Sequence, residues 1–172
     1  FFPAGFYYKT LMWPKSFWYK IYEPFIRKAA GFGVVSTKHD NERYEHKYEY
    51  CDLLITGSGP SGLASAYAAA KNGARVILAE DKSRFGGSLL TSEVSIGNQN
   101  GKDWADNIID ELKEMPNVTV KNRAQVFGYY DHNMLVMSER LSDHLPKSKK
   151  YAPKQRLWYI RAKEVIISTG SI

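Results

Sequence analysis

Cysteine is nearly absent from this chain: Cys51 is the single one among 172 residues. One thiol cannot close an internal disulfide, so a small disulfide-stapled scaffold is excluded, and a reducing cytoplasm is the expected location. At the start of an apolar run, Cys51 is expected to be a buried, inert thiol. Long hydrophobic runs are also missing. No stretch approaches the roughly 18 apolar residues that a membrane span needs, and no charged-then-apolar leader opens the chain. Metal-ligand spacing is missing too: His39, His46, His132 and His144 stand at no recurring interval from Cys51 or from carboxylates, and no metal site is expected. The net charge of +6 comes from scattered cations. The one small cluster, Lys147, Lys149 and Lys150, reads as a solvated loop, and no helix-turn-helix, finger or RNA-binding signature accompanies it, so no nucleic-acid partner is expected. The match of Asn117-Val118-Thr119 to a glycosylation acceptor is ascribed to chance.

The chain is well supplied with glycines where they carry meaning. Residues 50–62 read YCDLLITGSGPSG. A short apolar run, Leu53 to Ile55, leads into Gly57, Gly59 and Gly62, and a small-residue helical run follows from Leu63 to Asn72. A second apolar run, Arg75 to Ala79, ends on Glu80. This is the strand, glycine turn, helix, strand, acid order of a dinucleotide-binding unit. Gly57 would allow the sharp turn off the strand, Gly59 the approach of a pyrophosphate to the backbone, and Gly62 the close packing of helix on strand. Pro60 suits a first helical turn, where its missing N–H has no intrahelical partner in any case. Ser61 would share that turn, whose free N–H groups and positive dipole end favour an anion. Glu80, with Asp81 beside it, would accept from a ribose diol and repel a 2′-phosphate. NAD or FAD is therefore favoured over NADP, and the glycine turn alone does not separate those two.

Residues 1–33 form an aromatic-rich segment containing Phe1, Phe2, Phe6, Tyr7, Tyr8, Trp13, Phe17, Trp18, Tyr19, Tyr22, Phe25 and Phe32. Lys15 to Ala30 has helical periodicity, with Pro24 placed to kink or divide it and Gly31 and Gly33 to stop it. So many rings are costly to leave in water. They are expected to cover the rest of the chain, another subunit or a ligand. Residues 34–49 read as a polar linker and 50–172 as the dinucleotide-binding domain.

Ser83 to Gly101 is a long connection with Gly86, Gly87 and Ser88 near its start. Two adjacent glycines there suit either backbone approach to a cofactor or a plain turn. A helix is expected over Lys102 to Met115 and a short strand at Val118 to Val120. Three β segments follow, Ala124–Tyr130, Met134–Glu139 and Arg156–Ala162, the first two joined by a turn at Asp131-His132-Asn133. Leu141 to Pro153 is expected to be a polar loop. A separate buried parallel strand is expected over Glu164–Ser168, closed by Thr169 and Gly170. The chain stops soon after it, so the piece is expected to be internal to a longer protein and the domain incomplete at its C-terminus.

The glycine turn, Glu80, the Gly86-Gly87 pair, the β-meander and the Ser168-Thr169-Gly170 strand end resemble the two-dinucleotide-binding-domain flavoproteins, the glutathione-reductase-like group. The implied fold class is α/β: a Rossmann-like FAD/NAD(P)-binding domain with a β-meander. Further stretches are more particular. They are Phe2 to Thr10 (FPAGFYYKT), Trp13-Pro14, Ile26 to Gly31 (IRKAAG), Gly86 to Leu90 (GGSLL), Val126 to Asn133 (VFGYYDHN), Gln155 to Trp158 (QRLW) and Ile160 to Ala162 (IRA). Together they resemble the α-subunit family of heterotetrameric sarcosine oxidases along nearly the whole chain.

That resemblance implies a bacterial flavoprotein with β, γ and δ partner subunits. Such an enzyme oxidises sarcosine to glycine, makes hydrogen peroxide and transfers a one-carbon unit to tetrahydrofolate. FAD lies in the β subunit, FMN at the α/β interface and NAD in the α subunit. It implies cofactor-binding roles for Gly57, Gly59, Pro60, Ser61, Gly62, Glu80, Asp81, Gly86, Gly87, Ser88, Thr169 and Gly170, and no catalytic residue in this stretch. Two alternatives stay open. One is the FAD-binding part of an NAD(P)H-dependent flavoprotein oxidoreductase; the other is a structural dinucleotide-binding assembly subunit.

Overall fold

The computed structural model describes residues 14–31, 33, 35–146 and 152–170. The expectations for Phe1 to Trp13, for Phe32 and for the lysine cluster at 147–150 lie outside the described residues. The chain divides into two units, Phe1–Asp40 and Asn41–Ile172.

In the first unit an α-turn at Lys15–Phe17 runs through a π-helical turn at Trp18–Tyr22 into helix α1, Glu23–Ala29. Pro24 cannot donate an N–H to the preceding turn, and its ring crowds the carbonyl four residues back. The widened turn just before it accommodates both faults, so the expected division is a π-bulge. Gly31, at φ 72°, ends the helix.

The second unit is built on one six-stranded sheet, order β5-β2-β1-β8-β7-β6. Its strands are β1 Tyr44–Thr56, β2 Val76–Ala79, β5 Val118–Lys121, β6 Ala124–Tyr130, β7 Met134–Arg140 and β8 Gln155–Ile167. The pairs β5–β2, β2–β1 and β1–β8 are parallel, and β8–β7–β6 is the antiparallel meander. A small hairpin, β3 Ser95–Ile96 and β4 Gln99–Asn100, lies in the long connection after β2. Helices α2 (Pro60–Lys71) and α3 (Gly101–Glu114) cover one face. The α3 cap is Asn100, whose side chain accepts from Lys102 N–H at 2.9 Å.

Two expectations are corrected here. The polar linker over 34–49 is strand from Tyr44 onward. Its charges concealed it because they pair across the sheet: Glu45 bonds Arg156 at 2.8 Å, and Tyr48 stacks on Tyr159 at 5.1 Å between ring centroids. The segments Arg156–Ala162 and Glu164–Ser168 form one strand, β8, paired with β1 along its whole length. Only Lys163 separates them, and it carries no turn chemistry. The far end of β8 is also more open than expected, with Ile167 at 64% exposure.

Asp52 and Leu53 both donate their N–H to the carbonyl of Arg75, at 2.9 and 3.1 Å. Two residues of β1 thus face one of its neighbour, and the pleat shifts. Ile55 joins Leu63, Val76, Leu78, Ile108 and Leu112 beneath the helices. Leu54 and Cys51 join Ile77, Leu135, Met137, Trp158 and Ile160 beneath the meander. Burial pushes the Cys51 thiol up to about 12, as an inert thiol requires. The β6–β7 turn is a 3-10 turn at Asp131–Asn133, with His132 and Asn133 in the left-handed region. Asn133 donates to the Lys163 carbonyl at 2.8 Å, and Arg161 to that of His132 at 2.9 Å, which pins the hairpin to β8.

Candidate dinucleotide-binding site

The carboxyl ends of β1, β2 and β8 meet where an open α/β sheet places ligands. Gly57, at φ 100°, turns the chain off β1; a Cβ there would lie 2.3 Å from the Ser168 carbonyl oxygen. Gly62 brings α2 against the same turn, and a Cβ there would lie 2.0 Å from the Gly57 carbonyl oxygen. These positions behave as the glycine spacing requires: one bends, the other packs.

Gly59 differs from both. Its backbone is extended, and a Cβ built on it would meet nothing within 4 Å. It caps α2, with Pro60 in the first turn, no side chain capping the helix and no acid in that turn. Ser61 is exposed beside it. The first-turn N–H groups, without a side-chain acceptor, present the positive end of α2 to this open space. An ADP pyrophosphate fits that donor set.

Glu80 is buried at the end of β2. Its Oε2 accepts from the N–H and hydroxyl of Ser58, at 2.9 and 2.5 Å, and its Oε1 from the N–H of Lys82 at 3.0 Å. Burial pushes its carboxyl up, but the hydrogen bonds from Asp81, Ser58 and Lys82 outweigh it, and Glu80 sits below the usual carboxylate range. Asp81 is raised, first by its hydrogen bond to Glu80 and then by burial and the neighbouring charge. Of the two carboxyls Glu80 is thus the one held more readily as its anion, and it is the side chain expected to accept from a ribose.

Gly86 donates its N–H to the Ser58 carbonyl at 3.0 Å. A Cβ on Gly87, at φ 54°, would lie 2.9 Å from Gly59 Cα. The glycine pair is thus seated on the turn itself: the close approach accounts for Gly87, and the φ of 120° for Gly86. Ser88 lies within the 3-10 turn Gly87–Leu90 and is exposed; its carbonyl accepts from the Ser92 hydroxyl at 2.8 Å. Thr169 and Gly170 follow β8 and are also exposed, with Thr169 Cα 3.1 Å from the Cβ position of Gly57.

Two residues of the site went unmarked in the sequence. Ser58 stands between the first two glycines, and only the fold reveals its bond to Glu80. Ser168 places its hydroxyl 3.1 and 3.0 Å from the carbonyl oxygens of Thr56 and Gly57, tying β8 to the turn. Its one legible sign was its place in the Ser168-Thr169-Gly170 strand end. Among the described residues there is no group of His, Cys, Asp and Glu that would hold a metal, and no helix long and apolar enough to cross a membrane.

Comparison with known proteins follows the same lines. Over 168 residues the chain is 46% identical to the sarcosine oxidase subunit alpha of Rhizobium meliloti (strain 1021), covering 98% of this chain and 17% of that relative. It is 35% identical over 144 residues to the sarcosine oxidase subunit alpha of Corynebacterium sp. (strain U-96), covering 83% of this chain and 15% of the relative. The chain thus spans less than a fifth of the length of these curated relatives. The resemblance carried by the aromatic and VFGYYDHN segments is borne out. Among solved structures, L-proline dehydrogenase from P. horikoshii superposes with a TM-score of 0.56 at 20% identity, covering 79% of this chain and 25% of that one. That likeness supports the Rossmann-like fold. The family model for FAD dependent oxidoreductases matches residues 52–145, from the first parallel strand through the meander hairpin, and the chain belongs to that family.

Proposed function

We propose that this chain is the dinucleotide-holding part of the α subunit of a sarcosine-oxidase-type enzyme. The carrying observation is the likeness to sarcosine oxidase subunit alpha along 98% of the chain, glycine turn included. The whole enzyme would pair this subunit with β, γ and δ partners in the cytoplasm. It would oxidise the N-methyl amine of sarcosine to give glycine and hydrogen peroxide, and pass the one-carbon unit to tetrahydrofolate. FAD and FMN would serve the chemistry elsewhere in the complex, and no residue of this chain is assigned to the bond-breaking step.

The local task is binding. Gly59 leaves room for a pyrophosphate, and the first turn of α2, with Pro60 and Ser61, supplies its donors. Glu80 accepts from the ribose, with Asp81 beside it. Gly57 and Gly62 shape the turn, Gly86, Gly87 and Ser88 close one side, and Thr169 and Gly170 the other. A bound NAD would supply a nicotinamide able to exchange hydride. The domain limits follow, with the boundary moved to the start of β1: residues 1–33 form an interface segment, supported by the exposed rings of Phe17, Tyr19 and Phe25; residues 34–43 connect it; and 44–172 hold the nucleotide.

NAD is the first reading, supported by the likeness to the α-subunit family. FAD in the same turn is the second, favoured by the family match over residues 52–145. The two share the AMP half that this unit would grip. Acid extraction of the full-length complex, with the released nucleotides identified by mass, separates them. NAD recovered together with FAD and FMN supports the first; FAD and FMN without NAD refutes it. Sarcosine-dependent peroxide production by the same complex tests the wider assignment.

A further inference from the structure

Ser58 is fully buried, at 0% exposure, yet nothing about a tight turn between two glycines calls for a hydroxyl. Its contacts reach two other elements. The N–H and the hydroxyl both donate to Glu80 Oε2, at 2.9 and 2.5 Å. The carbonyl oxygen accepts from Gly86 N–H at 3.0 Å, and the hydroxyl oxygen lies 3.3 Å from that same N–H. One side chain therefore joins the glycine turn, the acid at the end of β2 and the loop that follows it.

The arithmetic of lone pairs gives this a consequence. A carboxylate offers about four acceptor sites. Ser58 takes two on Oε2, and Lys82 N–H takes one on Oε1. The fourth site is met by the Asp81 carboxyl, which also hydrogen-bonds Glu80 and which an arriving ribose hydroxyl would displace. With Oε2 held by two donors from one buried residue, the carboxylate cannot exchange its oxygens without breaking both bonds.

We infer that Ser58 is a positioning residue for nucleotide recognition: by holding Glu80 Oε2 it leaves Oε1 as the acceptor for a ribose hydroxyl, and it does so without touching the nucleotide. The inference rests on the reading of the glycine turn as a dinucleotide site. It extends that reading by assigning ribose selectivity to the serine and the acid together. A serine that only filled the turn would affect every nucleotide alike. One that acts through Glu80 affects only nucleotides that carry a ribose diol.

The test is calorimetric titration of cofactor-stripped full-length protein with ADP and with 2′,3′-dideoxy-ADP. The wild type should bind ADP better. Ser58→Ala should weaken ADP about tenfold, the value of one hydrogen bond to a charged group, and leave the dideoxy compound unchanged. Ser58→Cys, which keeps the volume and a weak donor, should fall between the two. Ser58→Ala/Glu80→Ala should bind ADP no worse than Glu80→Ala alone, because the serine acts through the acid. Equal loss of both ligands in Ser58→Ala and Ser58→Cys, or no loss of either, overturns the inference. A wild type that binds neither compound overturns the site reading beneath it, and that failure shows before any variant is made.

Discussion

The strands β1 and β8 pair in register from Tyr44↔Gln155 to Thr56↔Ile167, and the two halves of this one ladder are held in different ways. Beyond Asp52, β1 is enclosed: Leu54 and Ile55 are fully buried, one under the meander and the other under the helices. Cys51 at the joint is its first buried residue, and from Tyr44 to Tyr50 the strand is largely open, with Tyr48 at 75% exposure. There the partners are pairwise: Tyr48 on Tyr159, Glu45 on Arg156, and Lys47 above the Trp158 ring. Backbone pairing is common to both halves. What differs is burial, which contributes about 25 cal/mol per Å² of apolar surface, against about 0.2–1 kcal/mol for each cross-strand pair. The glycine turn grows from the enclosed half, where a rigid strand end can hold tight geometry.

Truncation on each side of Asp52 tests this contrast most strongly. Leu54→Ala should cost about 4 kcal/mol, the transfer loss plus a cavity in a site closed on two faces, read by urea unfolding of the full-length protein. Gly62→Ala should cost about 3 kcal/mol, because the new methyl group meets the Gly57 carbonyl and both lie on backbone that cannot yield cheaply. Tyr48→Ala, in the open half, should cost about 1 kcal/mol or less, limited to its stacking on Tyr159. If Tyr48→Ala matched Leu54→Ala, the division of the ladder would fail.

The joint between the halves has its own signature. Asp52 bonds Arg75 and Lys163, which hold its carboxyl well below the usual carboxylate range. A depressed carboxyl contributes stability above its unfolded value of about 3.9, and that contribution disappears as the pH falls through the folded value. Asp52→Asn should therefore lower the thermal midpoint modestly at neutral pH, with the gap to wild type closing in acid. A gap that widened in acid would contradict the assignment.

The same contrast explains what the sequence revealed. The enclosed half was legible because burial imposes composition: Leu53 to Ile55, the spaced glycines, the Arg75 to Ala79 run and Glu80 each point to one place in a βαβ unit. The helix at Gly101–Glu114 and the hairpin at Asp131–Asn133 were legible for the same reason, through a periodic apolar face and turn residues. The open half was hidden. Tyr44 to Glu49 alternates rings with charges, a composition that a linker shares, and only its partners on β8 make it strand. The continuity of β8 across Lys163 was hidden because a single lysine neither breaks nor marks a strand. Within the site, residues with backbone tasks were visible as glycines. Ser58 and Ser168 were not, since a serine shows its purpose only once the carboxylate or carbonyl opposite it is known.

The central claim is that the open space at Gly59 belongs to a dinucleotide. Gly59 has ordinary φ and no neighbour within 4 Å of a Cβ, so Gly59→Leu should fold as the wild type does and occupy the space from inside. The measurement is the nucleotide content of purified full-length wild type and Gly59→Leu, by acid extraction and mass, alongside the unfolding midpoint of the stripped proteins. The account predicts an ADP-containing dinucleotide in wild type, its loss from Gly59→Leu, and equal midpoints. Undiminished dinucleotide in a folded Gly59→Leu would contradict it.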